Sequence, residues 1–318
     1  MKDTAYAYCV SLIKEKENNL LKNEFFTELC DNPSFKSVCD LIREKGYFTE
    51  KPFENIEKAW FFIKNIIPYK DELDFLIVKN DFQNLKGIIK ATFFKKTDEF
   101  IFTSPALIEE DFLLKAISER DFFLLPSWIS DIALKGYELF SQTLNSMLFE
   151  MFVDFHTIKT MKDFSRKTKN SFPNFFCDEI SNVMSLKTAL RIATMKDDEK
   201  NKINFEYAFS ESKKIDIEKL KKCSLLGLEE TIEYIRKTDY SFFADEFLKE
   251  KKLSDKFIDE YIFSLFENSN IISFGIEPVI RYYIYNEMTA KNISAILNFK
   301  KVNKDSSFIK ERLRKLYV

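Results

Sequence analysis

The chain has 318 residues, with 49 basic and 51 acidic side chains and a formal net charge of −2, so it lacks the charge excess a nucleic-acid surface requires. Hydrophobic residues make up 45% and charged residues 31%, which excludes a disordered chain. Only 5 glycines and 7 prolines exclude a sheet protein rich in tight turns, and 35 phenylalanines suit wide gaps between long helices.

In chain order, Thr4 to Cys30 reads as helical, with Ala7, Val10, Ile13 and Leu20-Leu21 recurring at helical steps. Pro33 and Pro52 each open a further helix. One runs from Ser34 to Lys45 and stops at Gly46, a C-terminal cap. The next runs from Asn55 to Ile67 and is stopped by Pro68. A long helix follows from Lys70 to about Lys95, then an irregular stretch from Thr97 to Pro105. Helices are next expected at Glu109–Arg120, Ile129–Phe140 and Thr143–Lys167, and from Asn174 to Met195 behind Pro173. Asp197 to Asn204 is expected as a charged loop. The last part predicts helices at Ile215–Cys223, Gly227–Lys237, Tyr240–Glu250 and Asp255–Phe266. A long helix then runs behind Pro278 to Lys301, and a short one spans Ser307–Leu316.

Three long helices each carry the same phrase. It runs from Asp81 to Lys90, from Asn182 to Arg191, and from Thr289 to Asn298, with Asn84, Ser185 and Asn292 in register at separations of 101 and 107 residues. A similar stretch, Asp154-Phe155-His156-Thr157-Ile158-Lys159, lies 73 residues after the first copy and falls outside that register, so it reads as coincidence. Helix geometry puts Leu85, Ile88 and Ile89 on one stripe, and Leu186, Ala189 and Leu190 on another, both facing inward. Asn84 and Asn292 sit beside the stripe, where an amide can bond a neighbouring backbone and fix the register of two helices. With Leu85, Ile88, Leu186, Leu190 and Ile293 they form a packing signature. The basic positions beside it, Lys86, Lys90, Lys187 and Arg191, are the candidates for contact with a partner. The chain thus divides into three similar helical units, 1–104, 105–204 and 205–318.

Chemistry of other kinds is poorly supplied. One histidine, His156, lies among apolar neighbours and excludes sites built on two histidines of this chain. Five cysteines without a C-x-x-C pair read as reduced thiols in the cytoplasm. Five scattered glycines form no phosphate-cradling loop. The clusters Glu109-Glu110-Asp111 and Asp197-Asp198-Glu199 read as acids favoured near helix starts, with a magnesium site as the sharper alternative. Met1-Lys2-Asp3 leads into an amphipathic pattern, so no signal peptide is expected. Runs such as Ala59 to Ile63 are far shorter than the ~18 residues of a membrane helix, so no membrane insertion is expected. No cofactor and no nucleic acid is expected as a ligand.

Several stretches together resemble the central-stalk connector of V-type and A-type ATPases, a family found in bacteria, archaea and eukaryotes. They are Tyr6-Ala7-Tyr8-Cys9-Val10 with Leu20-Leu21 and Phe25-Phe26, then Asp81 with Asn84-Leu85-Lys86, and Ser185 to Arg191. Towards the end come Glu277-Pro278-Val279-Ile280-Arg281-Tyr282-Tyr283, Lys291 to Leu297, Ile309 with Glu311-Arg312-Leu313-Arg314, and Tyr317-Val318. Leu12 stands where that family tends to have arginine, Thr289 where the third repeat usually has a carboxylate, and Ser294 where it has a basic residue. The resemblance implies an all-α fold, three similar units around a pseudo-threefold axis forming a funnel. It implies a non-catalytic rotor part, peripheral to the membrane on its cytoplasmic side. The expected partners are the central-shaft subunits and the membrane rotor ring of the same ATPase. A helical-repeat adaptor unrelated to rotary ATPases, and an all-helical enzyme with a carboxylate metal site, are the competing readings.

Overall fold

The computed structural model describes residues 3–168, 170–267 and 274–316; Tyr317 and Val318 lie outside the described residues. The fold is all-α: sixteen α-helices and several short 3-10 turns, with no strand, among the described residues. The chain forms two compact units, one from residues 1–70 and 254–318, the other from 71–253. The first two copies of the phrase lie in the second unit and the third in the first.

The unit built from both chain ends contains α1 (Ala7–Glu17), α2 (Asn23–Asp31), α3 (Phe35–Glu44) and α4 (Glu54–Ile66). The expected helix from Thr4 to Cys30 is therefore two. Ser34 caps α3 by accepting from Ser37 N at 3.2 Å, and Gly46 takes φ 82° behind it, a left-handed conformation that glycine adopts without strain. Ile67, before Pro68, is extended, and α4 stops there as expected.

The central unit supplies α5 (Asp74–Phe93), α6 (Glu110–Glu119), α7 (Ser127–Thr143), α8 (Ser146–Arg166), α9 (Phe172–Ala193), α10 (Asp197–Lys200), α11 (Ile217–Leu226), α12 (Leu228–Arg236) and α13 (Ser241–Glu250). The expected loop after residue 196 thus begins with a helical turn. Its three acids occupy the first turn, where the helix dipole favours them. α5 packs on α8, α8 on α7 and α9, and α9 on α11 and α12. Phe75 and Phe176 meet edge-to-face at 6.2 Å. Gly136 lets α7 approach α8, since a Cβ there would lie 3.2 Å from the Phe149 ring.

The chain then returns to the first unit with α14 (Asp255–Ser264), α15 (Glu277–Lys301) and α16 (Ser306–Lys310). α15 is apolar or buried nearly all round and serves as that unit's axis, against α4, α1, α3, α2 and α14. Trp60 packs on Tyr283 at 5.5 Å, and the Lys300 ammonium donates to the Cys30 and Asn32 carbonyls at the end of α2. α16 ends at Lys310, short of the expected Leu316, because residues 311–316 leave the helix and bond to side chains of α2, α14 and α15. All five cysteines are free thiols, four of them buried. No helix among the described residues is long and apolar enough to cross a membrane.

Candidate functional site

The apolar stripe of the phrase is core. Leu85, Ile88, Ile89, Leu186, Ala189, Leu190, Ile293, Ile296 and Leu297 are all buried. The polar positions beside it differ between copies, and that difference defines the site.

In the first copy, Asn84 makes a reciprocal pair with the extended segment after α5. Its Nδ2 donates to Thr103 O at 2.9 Å, and its Oδ1 accepts from Thr103 N at 2.7 Å. Asn80 Nδ2 donates to Pro105 O at 2.7 Å, and the Asp81 carboxylate accepts from Ile108 N at 2.8 Å and Leu107 N at 3.0 Å. Three side chains of one helix face thus hold residues 103–108 as a strap. In the third copy Asn292 repeats the reciprocal pair, donating to Arg314 O and accepting from Arg314 N, both at 2.9 Å. The partner in each case is extended backbone about twenty residues downstream, not the second helix the sequence suggests.

In the second copy the positions of Asn80 and Asn84 are Ser181 and Ser185, buried at 1% and 3% exposure. Neither side chain has an amide, and no reciprocal pair forms. Asn182, in register with Asp81, turns to another partner and donates to the Tyr240 hydroxyl at 2.7 Å. That hydroxyl donates to Glu179 at 3.0 Å, and Lys214 reaches the other Glu179 oxygen at 2.6 Å. Burial and the adjacent Glu179 carboxylate push the Tyr240 phenol up, so it remains a donor.

In front of Ser181 and Ser185 lies a cavity of about 260 Å³, bounded by α8, α9 and the segment around Tyr207, Ala208 and Ser210. Lys187 and Arg191 line it, as do Glu150 and Asp154. Lys86 and Lys90 reach the same acids from α5: Lys86 to Asp154 at 2.6 Å, and Lys90 to Glu150 in a short ion pair. The structure therefore brings all four basic candidates to one place, two as cavity lining and two as partners of its acids. The look-alike stretch that begins at Asp154 lies on α8 and meets the first copy through this ion pair.

His156 sits between Phe152 at 4.6 Å, Phe155 at 5.3 Å and Tyr207 at 5.6 Å. Burial, helped by Lys159 and Lys135, lowers its pKa to about 4, so the imidazole is neutral at physiological pH. The ring acts as packing that pins Tyr207, a cavity wall. The acidic cluster ending at Asp111 stands at the start of α6 and the one ending at Glu199 in α10. No group of three or more His, Cys, Asp or Glu side chains among the described residues is placed to hold a metal ion.

Sequence reasoning overlooked Ser181 and Glu150, and set aside Asp154 with the look-alike stretch that it begins. Ser181 was findable by extending the phrase one residue upstream, where Asn80 and Ser181 share a register. Glu150 carries no such signal. The family described as ATP synthase (C/AC39) subunit matches residues 9–312. No curated protein matches the chain.

Proposed function

The chain belongs to the ATP synthase (C/AC39) subunit family, and on that premise we propose that it is the non-catalytic central-stalk component of a V/A-type rotary ATPase, joining the central shaft to the membrane ion-translocating ring. Its partners are other subunits of that ATPase. Within this reading the three units 1–104, 105–204 and 205–318 are copies of one helical body. The same reciprocal pair made by Asn84 and Asn292 supports that division.

The observation that carries the docking part is the cluster of four cationic side chains around one cavity of the central unit. A part that transmits torque needs a stiff body and a charged docking face rather than a catalytic pocket. Interdigitated aromatics such as Phe140 with Phe93 at 5.3 Å and Phe149 at 5.0 Å give the stiffness. Lys187 and Arg191 supply the face, with Lys86 and Lys90 holding its acids in place.

The test is co-sedimentation of the purified chain with the detergent-solubilised ring, with and without the two shaft proteins. Stoichiometric binding that the shaft tightens is expected. Lys187→Glu with Arg191→Glu is expected to weaken shaft binding by about tenfold or more at low salt while leaving Tm close to wild type. Absence of binding to ring and shaft alike defeats the proposal, and unchanged shaft binding by the double variant removes this face from it.

A further inference from the structure

We propose that the cavity of the second copy is a receptor for one acidic side chain of a neighbouring protein in the ATPase, held where the other two copies place their own asparagine. The inference rests on the reading that this face meets another part of the ATPase, and it names the chemistry of that contact.

The first copy shows what the site is built from. Asn80 and Asn84 extend amides from the helix and bond Pro105 and Thr103 of the strap. Gly87 clears the way for the segment that leads into the strap, because a Cβ there would lie 2.8 Å from the Phe100 ring. In the second copy all three positions have changed together: Ser181, Ser185 and Thr188 stand at the registers of Asn80, Asn84 and Gly87, and all three line the cavity. The serines are too short to reach across, and Thr188 adds the bulk that the first strap excludes. The downstream segment is instead held on α8, with Tyr207 packed at 5.0 Å from Phe152 and 5.7 Å from Phe155. The space between is the cavity.

The space is of mixed polarity, and one donor in its wall is unmatched. Ser181 Oγ is fully buried and has no hydrogen-bond partner among the described residues. Leaving a hydroxyl in that state is unfavourable, and a nearby acceptor relieves it. The charge selects the acceptor. Glu150 and Asp154 are engaged by Lys90 and Lys86, so Arg191 leaves the rim with an excess of positive charge. Its side chain is exposed and has no ion-pair partner among the described residues. A carboxylate fits: it pairs with the Arg191 guanidinium at the rim and brings an acceptor to the wall that holds the Ser181 hydroxyl. The volume of about 260 Å³ is below the ~300–1,000 Å³ of sites for drug-sized ligands, which suits an inserted side chain.

The experiment restores the first copy's chemistry in the full chain. Ser181→Asn with Ser185→Asn refills the cavity with the two amides. It is expected to keep ring binding and Tm, and to weaken shaft binding by about tenfold, the loss of one charge-assisted contact. Should that variant unfold, Ser185→Thr narrows the same space by one methyl group and is expected to weaken shaft binding in the same direction. Arg191→Glu paired with an Asp or Glu→Lys scan of the shaft is expected to find one position where binding returns. A folded variant with wild-type shaft affinity, or a scan with no rescuing position, overturns the proposal while leaving the central-stalk reading intact. Failure of the wild-type chain to bind the shaft overturns both. If inorganic phosphate or acetate raises the wild-type Tm and the shaft does not compete, the cavity serves a free anion and the proposal fails.

Discussion

Asp81 is a carboxylate placed where its charge is costly. It is 1% exposed, and burial outweighs the backbone amides of Leu107 and Ile108 that favour the ionised form; its pKa rises from 3.8 to about 7. Between those values the folded chain holds a proton that the unfolded chain has released. The contribution to stability is therefore complete below about pH 4 and is lost as pH rises through about 7. Asp81→Asn keeps the Oδ1 acceptor for both amides and cannot ionise. Wild type and variant should melt at similar temperatures near pH 4, with the variant increasingly the more stable as pH rises to about 7 and the gap constant above that. His156 works in the opposite sense, losing stability as pH falls from 6.5 towards about 4. Because both proteins contain it, the difference in Tm isolates Asp81. A Tm gap that stays flat from pH 4 to 7 would show that Asp81 does not titrate in this range.

At the scale of the element, the reciprocal asparagine is what fastens extended chain to helix. Asn84→Ala and Asn292→Ala each leave a backbone N–H and C=O without partners, so each is expected to cost about 1–3 kcal/mol in chemical denaturation. Amide exchange should quicken at Thr103 in the first variant and at Arg314 in the second. Equal exchange in wild type and variant would mean the clasp is incidental. Much of this level was readable beforehand. Ser34, Gly46 and Pro68 mark helix ends by local rules, and the stripe through Leu85, Ile88 and Ile89 declares its burial by period alone. What asparagine bonds to was not readable, because a strap has no period and its register is set by residues about twenty positions away. The ion pairs of Lys86 and Lys90 escaped for the same reason: Asp154 and Glu150 are 68 and 60 residues distant and look like ordinary helix-surface acids. The end of α16 was misplaced because Arg314 and Leu316 have better partners outside a helix than within one.

Considered as a whole, the chain spends both its ends on one unit and its middle on the other. The end unit is therefore closed only when residues beyond α15 return to it. Arg314 Nε donates to Asp259 at 2.6 Å, and Asp259 also holds Lys291 of α15 at 3.0 Å. Asn23 of α2 makes a reciprocal pair with Leu316, donating at 2.6 Å and accepting at 3.0 Å. Ile309, Leu313 and Leu316 bury their side chains there, each a contribution of about 1.5–3 kcal/mol when complete. Ending the chain after Lys301 removes all of these at once and leaves Asp259 with one cationic partner fewer. Their sum matches the ~5–15 kcal/mol by which a domain is stable, so the end unit should unfold at room temperature. The central unit, whose contacts are drawn from residues 71–253, should not. Amide exchange of the truncated chain is then expected to show protection lost in α1, α2, α14 and α15 but retained in α5, α8 and α9. Loss of protection throughout would mean the two units fold as one cooperative body. Retention throughout would mean the C-terminal residues are ornamental to the end unit.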